Sequence, residues 1–185
     1  ISACDNLKYT HYNPPLKATD WCTNQPCSEL GDLIISQPSS STIVYILSLL
    51  SIAIGVFFLK KNKGQQSISW WGYSIILGGI GALLAGTSYQ AFGYELKCAG
   101  RQYCIYTNWW ELWYEILTIA SAGALLIGIS YSCFSVKWQN ICKGFAIINT
   151  LTYLVVIILG VYSVNKFLLS FELMICFIAP TFILI

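Results

Sequence analysis

The sequence predicts an all-α protein, a polytopic transmembrane helix bundle. Five helices are expected in view, the fifth truncated, and seven in the longer protein. Hydrophobic residues make up 56% of the 185-residue chain and charged residues only 10%, against roughly 25% charged in ordinary soluble domains. The apolar residues gather into stretches near the roughly 20 residues a membrane helix needs. Those stretches are continuous rather than alternating, which favours helices over barrel strands. The lipid bilayer is thus the first partner. The net charge of +2 comes from scattered bases and points to no nucleic acid.

In chain order, residues 1–41 read as an extracytoplasmic, cysteine-containing N-terminal segment, and residues 42–185 as the transmembrane bundle. The spans are expected at 42–59, at 72–92 (rich in glycine), at 112–133 and at 145–164. A fifth begins near Leu169. Its apolar run of 15 residues, 171–185, reaches about 22 Å of a core about 30 Å thick, so it reads as a truncated helix. Met174 is the sole methionine, so Ile1 reads as the start of a processed chain or of a fragment. Ile1-Ser2-Ala3-Cys4 has the form of a lipobox, but a used box would begin at its cysteine, so Cys4 is read as a disulfide cysteine.

Positive charge orients the bundle. Lys60, Lys61 and Lys63 follow the first span and Lys137 and Lys143 the third, in loops without acids. These loops are expected in the cytoplasm and the N-terminus outside, in a bacterial inner membrane or its equivalent. All eight acids then lie outside or in outer helix ends. Trp109, Trp110, Trp113 and Tyr114 would form an outer aromatic belt, and Trp70 and Trp71 an inner one. Cys4, Cys22, Cys27, Cys98 and Cys104 fall on the outer, oxidising side. Cys98 and Cys104 close a short loop and are expected to pair. Cys22 pairs with Cys27, or one of the two pairs with Cys4. A zinc site needs about four close ligands, and His11 is the only histidine, so no zinc is expected.

Polar groups collect at the outer ends of three spans. Gln90 closes the second, Trp110, Glu111 and Glu115 open the third, and Glu172 opens the fifth. Glu111 and Glu115 are one helical turn apart and share a face. Ionisable groups in membrane helices are costly and usually face the bundle or water. The expected ligand-binding set is therefore Gln90, Trp110, Glu111, Glu115 and Glu172, around an outward-facing acidic and aromatic pocket. Such a pocket suits a cation, a lipid headgroup or an amide. The competing reading has these acids wetted at the interface. No phosphate-binding loop, nucleophile–histidine pair, haem ligand set or membrane-embedded Schiff-base lysine is present.

Two short stretches resemble the alkaline ceramidase branch of the CREST superfamily of seven-helix membrane hydrolases. Asp20-Trp21-Cys22, then Cys27-Ser28-Glu29 and Ser36-Gln37-Pro38-Ser39, resemble that family's opening Asp-Trp-Cys, Cys-Glu and Glu-Pro-Asn. Gly79-Ile80-Gly81-Ala82-Leu83-Leu84-Ala85-Gly86-Thr87 resembles its Gly-Ile-Gly-Ser-Phe-Leu-Phe-His-Thr. The departures fall on the chemistry. Ala82 stands where the resemblance implies a catalytic serine, Gly86 where it implies a zinc histidine, and Gln37 replaces a glutamate. The resemblance also implies two later histidines in a last helix, and an acidic N-terminal site that holds calcium in some ceramidases. Asp20, Asn24 and Glu29 are the nearest matches to that calcium site. The stretch from Gly86 to Cys98 resembles an uncharacterised group of bacterial multi-helix membrane proteins, which implies no activity.

Two functions compete. The first is a non-catalytic membrane binding or assembly subunit, without a required cofactor, whose partners are other membrane subunits or a lipid ligand. The second is a lipid amide or ester hydrolase with a non-standard site, using a carboxylate in a dry pocket as general base.

Overall fold

The computed structural model describes residues 6–23, 25–31 and 33–184. Short 3-10 turns at Leu7–Tyr9 and Ala18–Asp20 precede an antiparallel hairpin of β1 (Cys27–Leu30) and β2 (Leu33–Ser36). Cys27 pairs with Ser36 and Leu30 with Leu33, and Gly31 takes a left-handed φ of 64° in the turn. Then come α1 (Pro38–Lys61) and α2 (Gln66–Ala85), which continues as a π-helical turn, Gly86–Ala91. A short α3 (Gly93–Lys97) leads through a loop to α4 (Trp109–Cys133), α5 (Val136–Ser163) and α6 (Phe171–Ile183). Four of these helices, with α2 and its π turn taken together, are long and apolar enough to cross a membrane, and α6 has 13 residues. The bundle is all-α apart from the hairpin.

Helix α2 begins at Gln66 and α5 at Val136, several residues ahead of their apolar runs. Gln66-Ser-Ile-Ser and Val136-Lys-Trp-Gln-Asn are polar but helix-competent, so backbone bonding extends beyond hydropathy. Pro38 starts α1 at a position that needs no N–H donor. Asn108 caps α4 by accepting from the backbone N–H of Trp110 (2.9 Å) and Glu111 (3.1 Å). Ser170 caps α6 through Leu173.

Helix α4 is the axis of the bundle. It packs on α2, α5 and α6, and 44% of its most apolar window is buried, against 11% for α1 at the edge. Between apolar helices in lipid there is no hydrophobic drive to associate, so close packing of small residues and interhelical hydrogen bonds hold them together. On the α1–α2 face, a Cβ at Gly79 would lie 3.1 Å from the Ser48 carbonyl, and one at Gly55 2.8 Å from the Gly72 carbonyl. The Ser48 hydroxyl donates to the Gly79 carbonyl. Ser74 and Ser121 bond each other's carbonyls at 2.8 Å between α2 and α4. Gly123 sits against Ala146 of α5. A core of Leu112, Ile119, Tyr153, Ile157, Leu169 and Met174 joins α4, α5 and α6.

The N-terminal segment is not a separate layer. It pairs with the α3–α4 connection through bridges at His11–Ile105 and Lys17–Tyr103, and through Tyr106 N–H donating to Thr10 O at 2.7 Å. Together they cap one end of the bundle. The Cys98–Cys104 disulfide is formed at the centre of this cap, fully buried beside Trp21. The Trp21 ring N–H donates to Ser36 Oγ at 3.0 Å. Cys22 pairs with Cys27, while Cys4 lies outside the described residues. The described acids lie in the cap or at the helix ends beneath it, and five lysines lie at the opposite end.

Candidate functional site

The cap end contains a cavity of about 140 Å³ lined by Tyr12, Tyr89, Lys97, Tyr106, Thr107, Glu111, Leu169, Phe171 and Glu172. Each wall has a local origin. Tyr12 comes from the N-terminal segment and Tyr89 from the π turn, whose wider pitch interrupts the regular faces of α2. Lys97 ends α3 and precedes the disulfide at Cys98, while its carbonyl accepts from Ile105 N–H at 3.0 Å. Glu111 lies in the first turn of α4 and Glu172 in the first turn of α6, where the positive ends of the helix dipoles favour carboxylates.

Lys97 and Glu111 form the core of the site. Their side chains are 3% and 1% exposed, and Nζ lies 2.6 Å from Glu111 Oε1. The ammonium also donates to the Tyr12 hydroxyl at 3.1 Å and the Tyr106 carbonyl at 3.0 Å. All three of its protons are therefore used. It lies 4.9 Å from the Tyr89 ring centre and 5.6 Å from that of Tyr12. Asn108 Nδ2 reaches Glu111 Oε1 at 3.4 Å. Glu115, one turn deeper, is 1% exposed and accepts from the Tyr153 hydroxyl at 2.7 Å. Tyr106 has its pKa raised, first by burial and then by the negative field of Glu172, Glu115 and Glu111. Thr107 is 2% exposed, and its Oγ1 stands near Glu111 without a properly formed hydrogen bond.

The residues expected to converge do so in part. Glu111 and Glu172 line the cavity. Glu115 lies beneath it, tied to Tyr153. Gln90 is half-buried next to the cavity residue Tyr89, outside its lining, and its Oε1 has no partner. Trp110 lies outside the lining of this cavity. It is 44% exposed and forms an outer groove with Leu84, Trp109 and Trp113, because its position on α4 points away from α5 and α6. Tyr114 is half-buried and packs edge-on to Tyr89.

Lys97, Thr107, Tyr12 and Tyr106 were not singled out from the sequence. Lys97 had one available signal: it adjoins the cysteine that closes the short loop. Tyr153 had another, as a hydroxyl in an apolar span.

The calcium-like set falls in and around the Cys22–Cys27 disulfide and β1. Asp20 accepts from Thr19, Glu29 is exposed on β1, and Asn24 lies outside the described residues. Among the described residues, no three His, Cys, Asp or Glu side chains form a metal-sized group. No known family, curated protein or solved structure matches the chain. The ceramidase resemblance thus rests on its short stretches alone. At Gly86 an added Cβ would meet Val44 Cγ1 at 2.8 Å, so the space for a histidine there is filled by α1.

Proposed function

We propose that this chain is a non-catalytic integral membrane binding protein whose capped, acidic and aromatic cavity receives a small polar group. The observation that carries this reading is the state of Lys97. Its charge is spent on Glu111, and its protons on Glu111, Tyr12 and Tyr106. What remains is a lined recess beside a rigid ion pair. A hydrolase needs a base within hydrogen-bond reach of the substrate or its water. Glu115 is held by Tyr153 below the cavity and Glu111 by Lys97, which leaves Glu172, exposed at the start of α6, as the one carboxylate of the lining unpaired among the described residues. The separation of acids and lysines between the two ends supports an orientation with the cap extracytoplasmic.

The functional test is turnover of an N-acyl lipid amide by the purified full chain, with Glu115→Gln alongside. No turnover by either protein is expected. Turnover that Glu115→Gln abolishes would establish the hydrolase instead. The orientation is tested after replacing Cys4 and the cysteines that are free among the described residues, Cys133, Cys142 and Cys176, by alanine. A cysteine placed at Gln102 should label with an impermeant reagent in intact cells, and one at Asn62 should not. The reverse pattern would turn the site to the cytoplasm.

A further inference from the structure

Resting on the binding reading above, we propose that the cap-end cavity takes a primary ammonium group, with Glu172 as its counter-charge and Thr107 Oγ1 as a hydrogen-bond acceptor.

Charge points to a cation. Lys97 and Glu111 cancel each other within the wall. Glu172 also lines the cavity, and among the described residues no base pairs with it. Tyr106, on the cavity wall, holds its proton more tightly because of burial first and Glu172 next. An anion would meet these carboxylates and a lysine with no proton to offer it.

Hydrogen bonding points to a donor. Thr107 Oγ1 is deeply buried, lines the cavity and, beyond its approach to Glu111, has no hydrogen-bond partner among the described residues. A buried hydroxyl left unpaired is costly. Even a proton shared with the nearby Glu111 would leave its acceptor lone pairs open. A ligand N–H meets that need, whereas a quaternary ammonium has none to give. Quaternary groups are usually held against several aromatic faces, and two of the four rings in the lining, Tyr12 and Tyr89, already face Lys97.

Size limits the group. A cavity of about 140 Å³ holds four or five waters at about 30 Å³ each. An ethanolamine-sized group fits, and a longer substituent must leave past the exposed part of the lining, Tyr89, Phe171 and Glu172. The ammonium can belong to a lipid headgroup or to a free short amine.

The experiment uses the full chain in detergent, titrated calorimetrically with ethanolamine and with choline. Phosphatidylethanolamine and phosphatidylcholine retained by the protein from an equal mixture are measured by mass spectrometry. Ethanolamine should bind at least ten-fold more tightly than choline, or phosphatidylethanolamine should be enriched as strongly. That preference should fall at least ten-fold in Glu172→Gln and several-fold in Thr107→Val. Glu172 is exposed at a helix end, so its variant should keep the fold, and the disulfide pattern and helical circular dichroism check this. Enrichment of the lipid identifies a headgroup, and binding of free ethanolamine without enrichment identifies a soluble amine. Equal or tighter choline binding, a preference that survives Glu172→Gln, or no response to either amine in both assays overturns the proposal. Choline-selective binding would leave the binding role standing, whereas turnover of an amide would remove that role.

Discussion

Replacing Lys97 by methionine removes a charge that three parts of the chain converge on. The ammonium ties α3 to Glu111 on α4, to Tyr12 in the N-terminal segment and to the loop carbonyl of Tyr106. Removing one partner of a buried ion pair typically costs about 3–5 kcal/mol, because the other charge stays buried without compensation. The bonds to Tyr12 and Tyr106 come from the same ammonium, so their loss belongs within that figure. Glu111→Leu should cost a similar amount by stranding Lys97. The double variant Lys97→Met/Glu111→Leu removes both charges. It leaves chiefly the Tyr106 carbonyl and Asn108 amide short of partners, at about 1–3 kcal/mol for an unsatisfied buried group. Two such groups cost about 2–6 kcal/mol, below the roughly 6–10 kcal/mol of the two single losses added, so the double variant should lose less than their sum. Denaturant unfolding of all four proteins in one detergent measures the cycle. If the double variant loses the sum of the two single losses, the residues act independently and the ion pair does not organise the cap.

Gly79→Val should loosen α1 from α2 and lower stability by about 1–3 kcal/mol through overpacking, since its Cβ would sit 3.1 Å from the Ser48 carbonyl; an unchanged unfolding midpoint would contradict the close approach. Val164 ends α5 with a φ of 53°, and Asn165 N–H donates back to the Gly160 carbonyl at 3.0 Å. A β-branched residue is strained there, so Val164→Gly should raise stability by about 1 kcal/mol, and a loss would show that the valine side chain matters more. Tyr106 has its pKa raised by burial and nearby acids, so the folded protein holds the phenol proton more tightly than the unfolded chain. Its contribution is intact below the unfolded value of about 10 and declines as pH rises through the folded value. The alkaline loss of stability should therefore be shallower in Tyr106→Phe, and equal slopes would refute it.

Much of the fold was legible because the membrane imposes a one-dimensional rule. A continuous apolar run must satisfy its own backbone, so hydropathy alone located four spans and charge distinguished the two ends. The short Cys98–Cys104 loop could be read because its few residues keep its ends close. Helix starts were less legible, since Val136-Lys-Trp-Gln-Asn is helical without being apolar. Glu111 and Glu172 were identifiable because a carboxylate at the end of an apolar span requires an explanation. Only the tertiary structure decided which neighbours explain it. Helix rotation sent Trp110 outward and set Tyr114 edge-on to Tyr89, and chain reversal at the cap brought Tyr12 to within 3.1 Å of Lys97, 85 residues later. Local sequence determines that a polar side chain is costly in a membrane, but its partners depend on contacts between distant segments, which no local pattern encodes.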